Sequence, residues 1–273
     1  MNQHYFTYLN SRISFYSNEQ IEKEAVILLH GNSSNKDFFN PQLSSDLFEE
    51  FYLISSDFSG HGDSELIKSP DANSINGLAL MVDAMVDYLE LDRVVIYGVS
   101  LGGHVGIELI SILNSKMAGL MISGAPPLVK PIDFDLAFAG NSTVKLSMQE
   151  NLSDKDVSKW LEETVHNKDV VDVVKKSINN TNSQYRKLFG QYFGANMGFK
   201  DGKKLIESYD QNIAILQGEH ERFASLEYLD SLSVKNLFEN QIISIPGSSH
   251  YVSLEQPELF NDILYSFAKK CYS

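Results

Sequence analysis

Residues 94–110 read VVIYGVSLGGHVGIELI and place a serine between two regular patterns. The first residues form an apolar run typical of a buried strand, and the residues after Ser100 have apolar side chains at helical spacing. Gly98, Ser100 and Gly102 give the spacing G-x-S-x-G, in which a tight strand-to-helix turn exposes a serine hydroxyl. Ser100 is therefore either a helix cap or a nucleophile, and the rest of the chain must distinguish the two.

Similar apolar runs recur along the chain and predict a parallel sheet. They lie at residues 25–31, 51–60, 94–98, 119–125, 213–218 and 241–247. Continuous apolar strands are typical of a sheet that is buried on both faces. Helical patterns at 72–90, 101–113 and 256–269 separate them, and residues 5–17 resemble an antiparallel hairpin with its turn at Asn10 and Ser11. This alternation predicts an α/β fold with right-handed crossovers.

The alternation stops at residues 128–207, which follow Pro126 and Pro127. This segment has short polar helical stretches and no strand pattern. So long a segment is not a loop inside a compact domain. We therefore predict a core built from residues 1–127 and 208–273, with residues 128–207 inserted as a helical cap.

The composition limits the classes of partner. The chain has 273 residues, 43% of them hydrophobic, and a formal net charge of −14. So acidic a protein repels phosphate backbones, and we expect no nucleic acid partner. The apolar runs are too short to cross a bilayer, the first residues lack the apolar region of a secretory signal, and the single cysteine, Cys271, allows no internal disulfide. We therefore expect a cytoplasmic protein without a membrane partner.

A nucleophilic serine needs a histidine base and an acid that orients it. His250 lies in PGSSHYVSLE, just after the last predicted strand, and is expected at the same sheet edge as Ser100. QGEHERF ends the penultimate strand and offers Glu219 and Glu221 as the acid. The chain order serine, acid, histidine is the order that accompanies G-x-S-x-G. We therefore predict Ser100 as nucleophile and His250 as base, with either glutamate as the acid.

The reaction also needs two N–H donors for the developing oxyanion. Leu101 follows the nucleophile at a helix N-terminus and supplies one backbone N–H. LLHGNSSN follows an earlier strand, and its Asn32 N–H is the second candidate, with Gly31 expected against the substrate. Residues 57–64, DFSGHGDS, are expected to support these loops. Metal-ligand spacings such as H-E-x-x-H are absent, so we expect neither a metal nor a cofactor.

These elements together resemble the α/β-hydrolase superfamily over the whole chain. They are HGNSS, DFSGHGDS, GVSLGGH, QGEHERF and GSSHYVSLEQPE. Many members have aspartate as the acid after the penultimate strand. Glu221 falls on that position, so the resemblance implies Glu221 rather than Glu219.

HGNSS, SLGGHVGIELI and the glutamate acid are also similar to a narrower group, the metal-independent N-acyl-homoserine lactonases. That group opens the lactone ring of bacterial quorum-sensing signals with a serine triad beneath a helical cap, an activity called quorum quenching. An aromatic cap residue contacts the substrate there, and Trp160 in DKDVSKWLEET matches it, although the group has tyrosine. Apolar cap residues such as Phe134, Leu136 and Phe138 either line an acyl pocket or form the core of the cap.

Other functions remain compatible with the same residues. They include a general short-chain carboxylesterase, an acyltransferase and a ligand receptor that retains the triad. The expected partner is a small ester or lactone, and the chain is either a monomer or a homodimer. Fold analogy does not choose among these functions.

Overall fold

The computed structural model describes residues 1–138 and 142–273, so residues 139–141 of the predicted insertion lie outside it. Eight strands form one sheet in the order β1-β2-β4-β3-β5-β6-β7-β8. The strands are β1 (Asn2–Tyr8), β2 (Ser11–Ser17), β3 (Glu24–Leu29), β4 (Phe51–Ser56), β5 (Val94–Val99), β6 (Met117–Ser123), β7 (Asn212–Gly218) and β8 (Ile243–Ile245). β3 to β8 are parallel, whereas β1 and β2 pair antiparallel at one edge. The predicted α/β class is confirmed.

Helices connect the strands and cover the sheet. They are α1 (Asn40–Leu43), α2 (Ile75–Tyr88), α3 (Leu101–Leu113), α4 (Phe134–Phe138), α5 (Asp154–Thr164), α6 (Val171–Asn180), α7 (Ser183–Gly194), α8 (Gly202–Ser208), α9 (Leu226–Asp230), α10 (Val252–Glu255) and α11 (Pro257–Tyr272). The three helices predicted in the core correspond to α2, α3 and α11, of which α11 follows the last strand. The short helices α1, α9 and α10 carry too few turns for their spacing to be visible in the sequence.

Both faces of the sheet are buried, which explains the continuous apolar runs. Along β3, Ala25, Ile27 and Leu29 pack on the side of α2 and α3, and Val26 and Leu28 pack on the side of α11. Successive side chains point to opposite faces of a strand, so a strand covered on both sides needs apolar residues throughout. This arrangement leaves the carboxyl ends of the parallel strands as the edge where polar loops meet.

The N-terminal hairpin differs from its prediction by one residue. Tyr8 pairs with Ser11, so the turn lies at Leu9 and Asn10 rather than at Asn10 and Ser11. Leu9 and Asn10 both have positive φ, 47° and 60°. Two such residues give the tight turn whose twist suits a hairpin. The sequence concealed this turn because leucine rarely adopts that conformation.

The segment between β6 and β7 contains α4 to α8, and its described residues include no strand. Val157 and Trp160 of α5 join the hydrophobic cluster on the α11 side, and Phe189 and Phe193 of α7 join the cluster on the α2 and α3 side. Residues of both helices also line the pocket that contains Ser100, which places them at the carboxyl edge of the sheet. α8 instead packs against α3.

Candidate active site

Ser100 lies at the turn between β5 and α3 with φ 55° and ψ −119°. This backbone conformation is strained for a residue with a side chain, and such strain is concentrated at functional sites. The Ser100 N–H donates to the Ser123 carbonyl at 2.9 Å, which ties the turn to β6. A Cβ at Gly98 would lie 2.2 Å from the Gly102 carbonyl oxygen, and one at Gly102 would lie 2.1 Å from the Leu29 carbonyl oxygen. The two glycines are therefore required by close backbone approach.

His250 and Glu221 form a buried pair at the same sheet edge. His250 Nδ1 lies 2.7 Å from Glu221 Oε2, and the two side chains are 3% and 1% exposed. The Phe223 N–H donates to the other oxygen, Oε1, at 2.6 Å. Since an ionised carboxylate only accepts hydrogen bonds, Nδ1 carries the imidazole proton and Nε2 is left with a lone pair. This is the tautomer that a general base for serine needs.

Glu219 has a different environment. Its side chain is 54% exposed and lies 3.7 Å from His220, and its Oε2 accepts from the Gly247 N–H at 2.9 Å. Of the two carboxylates that the sequence offered, Glu221 is the one that contacts His250. Glu219 braces the loop that follows β8.

Gly124 is a site residue that the sequence did not single out. It follows β6 with φ +56°, and a Cβ there would lie 2.6 Å from His250 Cε1 and 3.0 Å from Glu221 Oε2. A larger residue would therefore push the imidazole or the carboxylate out of place. The sequence around Gly124 gave no sign of this role, because the need for glycine arises from two loops distant in sequence.

The predicted oxyanion loop lies beside Ser100. A Cβ at Gly31 would lie 3.3 Å from the Ser100 Cβ, and Asn32 and Leu101 line the same pocket as Ser100. Leu101 is the first residue of α3, whose leading N–H groups have no partner within the helix. The Asn32 side chain donates to the Ser147 carbonyl at 3.2 Å. This loop is therefore held by the segment between β6 and β7 as well as by the strands.

Two buried histidines, His30 and His61, join this loop to residues 57–64 through hydrogen bonds. His61 Nε2 accepts from the Ser33 N–H at 3.1 Å, and its Nδ1 lies 2.9 Å from the Ser59 carbonyl. His30 Nε2 accepts from the Phe58 N–H at 3.0 Å. Burial lowers the pKa of His61 to about 3 and holds the pKa of His30 well below its usual value. Both rings are thus neutral supports, in agreement with the role predicted for residues 57–64.

A pocket opens above Ser100. It is lined by Asn32, Ser100, Leu101, His104, Phe138, Val144, Ser147, Trp160, Thr164, Phe189, Phe193, Phe223, His250 and Tyr251. Part of this wall is apolar, chiefly from phenylalanines, and part carries hydroxyl, amide and indole groups. The pocket therefore suits a molecule with an apolar part and a polar part.

The cap residues named from the sequence divide between pocket and surface. Trp160 lines the pocket, and its Nε1 donates to the Tyr251 hydroxyl at 3.4 Å. Phe138 also lines the pocket. Phe134 and Leu136 lie outside it, with 39% and 44% of their surface exposed, because α4 turns them away from Ser100.

Glu255 is a second residue that the sequence analysis missed. Its carboxylate is 2% exposed and accepts four backbone N–H groups. The N–H groups of His166 and Asn167 donate to Oε2, each at 2.7 Å, and those of Ser249 and Tyr251 donate to Oε1 at 3.0 and 3.3 Å. The His250 N–H itself donates to the Thr164 carbonyl at 3.1 Å. The loop that carries His250 is thus joined to the segment between β6 and β7.

Residues 1–138 and 142–273 lack two kinds of feature. No group of three or more histidine, cysteine, aspartate or glutamate side chains is arranged to hold a metal ion in this part of the chain. None of its helices combines the length and apolar character needed to span a bilayer.

Known proteins with a similar sequence or fold are hydrolases. The sequence profile described as the alpha/beta hydrolase family matches residues 26–263. Two crystal structures of the N-acyl homoserine lactonase AidH each superpose with a TM-score of 0.89 and cover 99% of this chain. One is a serine-to-glycine mutant complexed with N-hexanoyl homoserine lactone, with 27% identity and 98% of that chain covered. The other is complexed with N-butanoyl homoserine, with 28% identity and 97% of that chain covered.

A thermophilic esterase from Thermogutta terrifontis, solved with malate bound, superposes with a TM-score of 0.83. It is 16% identical, with 100% of both chains covered, a level of identity that shows the shared fold alone. No functionally curated protein matches the sequence significantly.

Proposed function

The chain belongs to the alpha/beta hydrolase family, and from this premise we propose that it is a serine hydrolase that opens the ester ring of N-acyl homoserine lactones. The single observation that carries the proposal is the buried contact of 2.7 Å between His250 Nδ1 and Glu221 Oε2. It leaves Nε2 of His250 available as a base in the pocket that Ser100 also lines. The likeness to AidH along the whole chain supports the lactone as substrate.

The first half of the reaction forms an acyl-enzyme. His250 Nε2 removes the proton from Ser100 Oγ as that oxygen attacks the lactone carbonyl carbon. The Glu221 side chain, in contact with Nδ1, stabilises the imidazolium. The N–H groups of Asn32 and Leu101 donate to the oxyanion, and the loss of one such donor costs about 3 kcal/mol of transition-state stabilisation. The ring C–O bond then breaks, and the leaving alkoxide takes the proton from His250.

The second half hydrolyses the acyl-enzyme. His250 removes a proton from a water molecule, which attacks the same carbonyl carbon and releases Ser100. The product is the open N-acyl homoserine. Because the new alkoxide remains tethered to the acyl group, deacylation by water must be faster than closure of the ring. Removal of such a lactone would quench the signal that it carries between bacteria.

The pocket has an apolar part and a polar part, and this lining supports N-acyl homoserine lactones as the substrate class. An N-acyl homoserine lactone combines an apolar acyl chain with an amide and a lactone. Phe138, Phe189 and Phe193 supply an apolar wall, and Asn32 and Thr164 bring polar groups to the pocket. Apolar pockets with a few placed polar groups fix the orientation of such ligands.

A general carboxylesterase is the second candidate, and the Trp160 contact favours it. The Trp160 indole N–H is directed at the Tyr251 hydroxyl and not into free space. An indole N–H has one proton to donate, so this contact leaves it less able to select a lactone. Simple esters need no such group.

The test measures proton release from N-hexanoyl homoserine lactone by purified protein that has been treated with a chelator. Hydrolysis of p-nitrophenyl butyrate is measured beside it. Ser100→Ala is the variant, because loss of the nucleophile is expected to lower kcat about a millionfold. Fast lactone opening that depends on Ser100 supports the proposal.

Two other outcomes reject the proposal in different ways. Rapid ester cleavage with negligible lactone opening would reject the lactonase and leave the carboxylesterase. Lactone opening that survives in folded Ser100→Ala would reject Ser100 as the nucleophile.

A further inference from the structure

A second, smaller pocket shares a lining residue with the first one. It is lined by Ile75, His104, Ile107, Glu108, Leu128, Phe199, Lys200 and Gly202. His104 lines both pockets, so its imidazole forms the wall between them. Among the described residues, His104 is the one that the two linings share.

The direction of α3 relates the two pockets. Ser100 precedes the helix, His104 lies one turn along it, and Ile107 begins the next turn. Residues three and four positions apart share one face of a helix. At a rise of about 1.5 Å per residue, the axis advances roughly 10 Å between Ser100 and Ile107. An extended acyl chain of a substrate bound at Ser100 Oγ could follow this face from the first pocket into the second.

The lining of the second pocket suits an alkyl chain. Ile75, Ile107 and Leu128 are each 3% exposed and face it with apolar surface. The Glu108 carboxylate is already paired, since it accepts from Asn76 Nδ2 at 3.0 Å and from the Lys200 N–H at 2.8 Å. An alkyl chain would therefore leave no buried acceptor unsatisfied. The Lys200 ammonium donates to Ser111 Oγ at 2.7 Å, which gives it a partner outside the pocket.

His104 is suited to move aside. Within residues 1–138 and 142–273 its imidazole has no hydrogen-bond partner, and its ring lies 6.3 Å from that of Phe138. Burial and the nearby His250 lower the pKa of His104 to about 3, so the ring is neutral at physiological pH. A rotation of this ring breaks no hydrogen bond and moves no charge.

We propose that the second pocket is a subsite for the distal part of a long acyl chain, and that His104 is the side chain that admits it. The inference rests on the proposed ester or lactone hydrolysis at Ser100. It extends that function by naming long-chain acyl groups as substrates. Short acyl groups would end in the first pocket and would not reach Ile107.

The experiment compares kcat/KM for N-butanoyl and N-dodecanoyl homoserine lactones, and for the matching p-nitrophenyl esters. Ile107→Trp fills the second pocket. It is expected to lower the dodecanoyl rate at least about tenfold, the loss expected when roughly two methylene groups lose their burial. The butanoyl rate should stay unchanged. Ile112→Trp is the control, because Ile112 lies on the same helix, is half-buried and lines neither pocket.

His104→Ala removes the wall and serves as a second variant, independent of whether Ile107→Trp folds. It should raise the ratio of dodecanoyl to butanoyl kcat/KM. If hydrolysis persists but neither variant changes this ratio relative to Ile112→Trp, the subsite is wrong and the proposed function stands. If the native protein cleaves none of the four substrates, the proposed function fails and the subsite fails with it.

Discussion

At the scale of single residues, the chemistry of the candidate site follows from a few side chains held in unusual positions. Ser100 could be found from the sequence because its strained turn requires glycine at two fixed spacings. His250 could be found because it follows the last predicted strand. The choice between Glu219 and Glu221 needed the resemblance to a known family, since their spacing alone places both near the end of the same strand.

The two glutamates give a prediction at this scale. Glu221→Gln should lower kcat by roughly three to four orders of magnitude, because an amide no longer stabilises the imidazolium or fixes its tautomer. Glu219→Gln should leave kcat nearly unchanged, since that side chain is half exposed and contacts a backbone N–H of the following loop. Steady-state kinetics on the ester substrate make the comparison, with circular dichroism to verify folding. An equal or reversed ranking would move the acid to Glu219.

The role of Gly124 could not be predicted from the sequence. Its role depends on the imidazole and carboxylate that occupy the space of its missing side chain. Those groups come from loops more than ninety positions further along the chain. A pattern within one segment carries no record of such a contact.

At the scale of elements, the strands and core helices were predictable because the sheet is buried on both faces and the helices between its strands are amphipathic. The predicted and observed bounds differ mainly where an apolar run continues past the end of a strand into a loop, as at 57–60 and 246–247. Glu255 was not predictable in the same way. It ends α10, and its four donors come from two segments more than eighty residues apart, so only the tertiary structure joins them.

Glu255→Gln tests the importance of this junction. The amide retains one acceptor oxygen and presents N–H donors to two backbone N–H groups. Each unsatisfied buried group costs about 1–3 kcal/mol, so we expect lower stability and, because the His250 loop loses its support, a lower kcat. Urea unfolding and steady-state kinetics are the measurements. Glu258→Gln, an exposed carboxylate in α11, is the matched control. A native kcat in Glu255→Gln would contradict this role.

At the scale of the whole molecule, buried neutral histidines link stability to pH. His30, His61 and His104 all have a pKa lowered mainly by burial. Below the ordinary histidine pKa of about 6.5, the unfolded chain takes up protons that the folded chain does not bind until far lower pH. The free energy of unfolding must therefore fall as the pH decreases from about 6.5 toward 3.

His61 provides the test of this dependence. With a folded-state pKa of about 3, it should contribute a loss of about 2 kcal/mol in the free energy of unfolding between pH 7 and pH 5. His61→Gln removes the titrating group, so its stability should fall less over the same interval, whatever its stability at pH 7. His220→Gln is the control, since His220 is exposed. Equal slopes for native protein and His61→Gln would refute the argument.

The junction at residues 164–167 also bears on how such enzymes can be recombined. Exchanging the insertion between relatives is an obvious route to new substrate preferences, because α5 and α7 contribute much of the pocket wall. Yet the Thr164 carbonyl and the N–H groups of His166 and Asn167 support the loop that carries the base. A chimera whose crossover precedes Thr164 keeps the native hydrogen bonds between residues 164–167 and the loop that carries His250. A chimera that replaces these residues must reproduce the same backbone path. Otherwise it gains a new pocket, but the loop that carries His250 loses its support and His250 no longer acts as the base.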